Sequence, residues 1–100
     1  MIYEFRLKTG FFETKLYNLS IKDQRITILD NEEELIVIDD DDLLCVSVTE
    51  KNHIEIEIQT KTNVYSGTIS TAAASASRLL DDLKEKLNKK ILYEGGKLDG

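Results

Sequence analysis

The stretch Ser70 to Ile91, STAAASASRLLDDLKEKLNKKI, reads as the one long helix of the chain. Projected at the helical period, Ala72, Ala73, Ala76, Leu79, Leu80, Leu83, Leu87 and Ile91 fall in a sector of roughly 120°. Ser70 or Thr71 offers a side-chain oxygen to cap the start. Lys89 and Lys90 sit where the helix dipole favours cations, and Gly95 and Gly96 supply the stop. A helix of about 20 residues spans about 30 Å, so its apolar stripe needs a partner surface of similar reach. The residues before it must provide that surface.

Those residues read as β. Met1 to Leu7 alternates, with Tyr3, Phe5 and Leu7 on one side and Glu4 and Arg6 on the other. A second strand runs from about Phe12 to Ile21, with Tyr17, Leu19 and Ile21 on one parity. A two-residue turn at Thr9-Gly10 would turn Phe12 and Leu16 inward and Tyr17 outward, so a bulge or a longer loop is expected between Gly10 and Tyr17. Further strands are predicted at Arg25 to Leu29, Leu35 to Ile38, Leu43 to Thr49, His53 to Gln59 and Val64 to Ile69. In the strand Leu43 to Thr49, Leu44, Val46 and Val48 share the inner face, which leaves Leu43, Cys45, Ser47 and Thr49 outside. Short polar turns separate the strands, so the pairing should be an antiparallel meander without helical crossovers.

Seven strands and a terminal helix in 100 residues make one domain of the mainly β (α+β) class. The expected architecture is a seven-stranded antiparallel barrel closed at one end by the amphipathic helix, with residues 1–92 as the domain and 93–100 as a flexible tail. A single cysteine, Cys45, allows no internal disulfide, and no Cys/His cluster offers a zinc site. A reducing, cytoplasmic setting follows as an expectation. Glu4, Arg6 and Lys8 interrupt any apolar stretch near the N-terminus, so no secretory signal is expected, and the longest aliphatic run, Leu35 to Ile38, is far too short to cross a bilayer.

The net charge of −6 disfavours nucleic acid and anionic lipid. Residues 31–60 concentrate the imbalance, with ten acids against Lys51 alone.

Tyr17-Asn18-Leu19-Ser20 followed by Arg25-Ile26-Thr27-Ile28 resembles the apolar-x-Leu-Thr, turn, Arg-apolar pattern of the pleckstrin-homology-like superfold, and more closely the small bacterial PH and GRAM-type domains. Ile36-Val37-Ile38 with Asp42-Leu43 is similar to that family's step between its fourth and fifth strands. The chain departs from the pattern between Ser20 and Arg25, which holds about two residues more than the family's tight turn. The resemblance spans Ile2 to about Leu92 and implies a binding module rather than an enzyme. Phosphoinositide-binding relatives carry three cations in the first two strands. Lys8 and Lys15 match two of the positions, and the third falls on Tyr17.

The constellations that carry chemistry are sparse. Asp39 to Asp42 lacks the glycine and the closing glutamate of a calcium loop and reads as a solvated turn. His53 lies on the polar face of a strand, and Cys45 stands three residues from the acidic run with no base beside it in sequence. No catalytic residue, cofactor or metal is therefore expected. Phe11-Phe12 beside Gly10 could anchor a partner or dip into a membrane interface, although at least one ring is expected in the barrel mouth.

Two function classes remain. The first is a protein- or peptide-binding adaptor, including self-association, acting through a free edge at Leu43 to Thr49. Cys45, Ser47, Thr49, Leu43 and the helix residue Arg78 are its candidate contacts. The resemblance implies this edge, because phosphotyrosine-binding relatives add a peptide strand beside the terminal helix. The second is a peripheral lipid-binding module using Lys8, Phe11, Phe12 and Lys15. Charge favours the first, with membrane contact unexpected.

Overall fold

A computed structural model describes residues 2–70, 76–87 and 89–95. Seven strands fall close to where the alternation places them: β1 (Ile2–Lys8), β2 (Thr14–Lys22), β3 (Arg25–Asp30), β4 (Glu33–Asp39), β5 (Leu43–Glu50), β6 (Ile54–Thr60) and β7 (Val64–Ser70). A helix, α1 (Ala76–Lys86), and an eighth strand, β8 (Lys90–Gly95), follow. All eight strands form one sheet in the order β4-β3-β2-β1-β7-β6-β5-β8.

Neighbours in chain order pair antiparallel throughout β1–β4 and β5–β7, and β1 joins the two runs through its ladder with β7. β8 lies parallel to β5, so the sheet is mixed. It is also open, which corrects the closed seven-stranded antiparallel barrel expected from the sequence. β4 and β5 are joined by a tight turn in which Asp42 N donates to Asp39 O at 3.0 Å and Leu43 N to Asp40 O at 3.3 Å. The two runs therefore meet at that corner, but β8 occupies the side of β5 that a closing β4 would need.

The two hairpins at β2–β3 and β3–β4 turn on residues with positive φ: Asp23 (53°) and Gln24 (61°), then Asn31 (53°) and Glu32 (75°). Two left-handed residues in succession match the right-handed twist of the flanking strands. The loop Thr9 to Glu13 resolves the parity conflict in the first hairpin. Thr9 N donates to Glu13 O at 3.0 Å, and β1 pairs with β2 so that Phe5 faces Tyr17 and Leu7 faces Lys15. Tyr17 is thereby buried, and Leu16 lies outside.

One face of the sheet carries the core. Phe5, Leu19, Ile21, Ile26, Ile28, Val46, Val48, Ile56 and Ile58 are almost wholly removed from water. α1 packs over this face against β2, β5 and β8, contributing Leu79 and Leu83, and Leu87 follows just beyond its end. Leu80 packs half-buried at the margin. The alternating pattern and the helical stripe thus meet as one apolar interior.

The helix is shorter than its periodicity predicts. Ser70 belongs to β7, and the rest of the predicted start, Thr71, Ala72 and Ala73, lies outside the described residues, as does Gly96. At the other end, Leu87 N still donates to Leu83 O at 3.1 Å, but Ile91 sits in β8. Ile91-Leu92-Tyr93 has high β propensity, and β5 offers an unpaired row of backbone donors and acceptors, so the sheet outcompetes another helical turn. Residues 93–95, expected in the tail, are strand.

Candidate functional site

The sheet ends in two strands that pair on one side only among the described residues, β4 and β8. The expected edge at β5 is not free: it pairs with β6 on one side and β8 on the other. Leu43 is not an outward contact either. The register shifts between Leu43 and Cys45, leaving Leu44 as the extra residue. Leu43 is buried and Leu44 is 51% exposed. Cys45, Ser47 and Thr49 do face outward but are half-buried, and the Cys45 thiol lies 3.6 Å from Gln59 Oε1. Arg78 is exposed on α1.

β8 is held near both ends. At its entry, Lys89 Nζ lies 4.0 Å from Asp40 Oδ2 in the β4–β5 turn. Near its exit, the Tyr93 hydroxyl donates to Glu50 Oε1 at 2.7 Å. That hydrogen bond holds the Tyr93 phenol above its ordinary pKa, with desolvation and the Glu50 charge acting in the same direction. Between these ties, Lys90, Leu92 and Glu94 lie beside Cys45, Ser47 and Thr49, while Ile91 and Tyr93 lie beside Val46 and Val48. Leu92 and Tyr93 remain 43% and 47% exposed. Ser47, Thr49, Leu92 and Glu94 line a shallow groove along the β5–β8 seam.

The cations proposed for a lipid headgroup diverge. Lys8 continues the outward parity of Glu4 and Arg6 and lines a concavity with Ser47, Glu57 and Thr68. Lys15 pairs with inward-facing Leu7, and its ammonium lies 5.8 Å from the centre of the Tyr17 ring. The two leave the hairpin on opposite faces and do not converge on one anion. Phe11 and Phe12 both project from the loop, 99% and 98% exposed, with ring centroids 6.0 Å apart. This corrects the expectation that one ring fills the barrel mouth. The loop runs outward from its Thr9–Glu13 closure, so neither ring reaches the core.

The acidic run is spent on separate contacts. Asp39 accepts from Arg25 at 2.8 Å, and Asp40 faces Lys89. Among the described residues, no three His, Cys, Asp or Glu side chains are grouped to hold a metal ion. His53 Nε2 lies 2.9 Å from Glu55 Oε2 on an exposed turn. No described helix is long and apolar enough to cross a membrane.

The sequence reading missed β8 altogether. Its signal was present: Leu92 and Tyr93 fall off the helical stripe, and Lys90 to Glu94 alternates polar and apolar on one face while keeping β-favouring residues on the other.

No protein-family model matches the chain. No curated protein matches it either.

Proposed function

We propose that the chain is a non-catalytic binding module of pleckstrin-homology-like design that recognises a protein or peptide by adding a strand to the outer edge of β8. The observation that carries this reading is a six-residue strand paired on one side among the described residues, with half-exposed Leu92 and Tyr93 at its centre. Such an edge presents backbone donors and acceptors to an incoming strand, and its side chains supply selectivity. The meander order β4-β3-β2-β1-β7-β6-β5 followed by a helix supports the family resemblance.

The test is an amide-exchange footprint with a partner recovered from the native host. Binding should slow exchange at Lys90 to Gly95 and be lost in Leu92→Glu with the thermal midpoint unchanged. A footprint confined to other strands overturns the reading.

The Phe11–Phe12 pair supports a second reading, contact with a membrane interface by the exposed β1–β2 loop. It predicts vesicle binding that depends on both rings and is indifferent to headgroup, because Lys8 and Lys15 do not share an anion. Vesicle binding unchanged in the double variant Phe11→Ser/Phe12→Ser sinks it.

A further inference from the structure

The residues of β8 are self-complementary. We propose that β8 pairs antiparallel with β8 of a second copy of this chain, about a two-fold axis at Leu92, setting Lys90 of each copy opposite Glu94 of the other. This rests on the strand-edge reading above and names its partner.

In an antiparallel ladder centred on Leu92, Lys90 faces Glu94, Ile91 faces Tyr93, and Leu92 faces its own copy. The pleat permits it, because Lys90, Leu92 and Glu94 share the outward face with Cys45, Ser47 and Thr49, whereas Ile91 and Tyr93 share the face of Val46 and Val48. Both core faces then lie on the same side of one continuous sheet. Moving the axis to Ile91 or Tyr93 shortens the ladder and sets Lys90 or Glu94 against Leu92. Only the Leu92 register matches both charges and covers the two exposed apolar side chains, Leu92 and Tyr93.

The other edge strand has no such charge match in its full-length register: β4 paired with itself about Ile36 sets Glu33 opposite Asp39 at both ends, like charge against like. A β8–β8 contact is isologous and closes at two copies, whereas a β4–β8 contact would continue as an open chain. The contact is small, so the dimer is a weak, concentration-dependent one.

Sedimentation of the full chain from about 10 µM to about 1 mM tests this, with amide exchange at both extremes. A monomer–dimer equilibrium is expected, with slowed exchange at Lys90 to Gly95 on association. Lys90→Glu and Glu94→Lys, both at exposed positions, should each weaken the dimer by roughly tenfold or more. Mixing the two single variants, or combining both substitutions in one chain, should restore it. A dimer insensitive to these swaps, or assembly beyond two copies, overturns the inference. A monomer at every concentration, in which the β8 amides that point away from β5 exchange fast, overturns self-pairing and leaves the edge open to another partner. A monomer in which those outward amides are protected at every dilution overturns the strand-edge reading as well.

Discussion

The hydroxyl of Tyr3 donates to Asp82 Oδ2 at 2.8 Å, binding the first strand to a helix 79 residues further along the chain. Tyr3 is buried, and its phenol is held above the ordinary tyrosine range by desolvation first and by the Asp82 hydrogen bond second. Tyr3→Phe keeps the ring and removes the bond, so it should lower stability by about 1–2 kcal/mol in urea unfolding at neutral pH. The same pair sets a pH dependence. A phenol whose pKa is raised on folding stays protonated in the native state after the unfolded chain begins to ionise. Its contribution is therefore complete below about pH 10 and is lost as pH rises beyond it. Wild type should lose stability above that pH more steeply than Tyr3→Phe.

Gly67 on β7 faces Leu7 of β1. A Cβ there would run into the Arg6 carbonyl oxygen and come within 2.7 Å of Phe5 Cε1. The first obstacle is backbone and the second a fully buried ring, so neither can yield cheaply. Gly67→Ala should cost about 3 kcal/mol, seen as a lowered thermal midpoint. A change below about 0.5 kcal/mol would mean that the β1–β7 ladder is looser than drawn.

Glu32 carries a side chain at a φ of 75°, where a Cβ crowds the following carbonyl. Glu32→Gly should raise stability by up to about 1 kcal/mol, the relief being partly offset by the greater freedom of glycine in the unfolded chain. Glu33→Gly, one position on and inside β4, should lower it, and calorimetry on the pair separates the turn effect from loss of an acid.

Leu43 and Leu44 make a matched pair on either side of the β5 bulge. Leu43→Ala should cost about 2–5 kcal/mol and Leu44→Ala less than about 1 kcal/mol, since only the first leaves a cavity. Equal losses, or the reverse order, would remove the bulge from the description.

Most strands were legible because half-buried strands must alternate, and Tyr3-Phe5-Leu7 or Ile54-Ile56-Ile58 admits no other period. The loop before Tyr17 was legible for the same reason, as a conflict of parity that needed extra residues. Leu43 and Leu44 defeated this logic because a bulge adds one residue to one strand only, and two adjacent leucines look alike until the partner strand sets the register. β8 was hidden by a different cause. Ile91 fits both the helical stripe and the strand, and the choice was made by the unpaired edge of β5, more than forty residues upstream. The free edge expected at β5 therefore lies one strand further out, at β8, among the described residues. The exposure of Phe11 and Phe12 depended on the direction in which the loop leaves the hairpin, which composition does not encode.

The ladder between β1 and β7 also divides the molecule in time. Every other antiparallel pairing joins strands adjacent in sequence, so β1–β4 and β5–β7 can each form by closing short loops. Bringing Phe5 against Ile69 closes about two thirds of the chain and hydrogen-bonds the two half-sheets into one. That closure spans more of the chain than the other long-range ladder, β5 with β8, and is the step on which the folding rate should turn, with Gly67 at its tightest point.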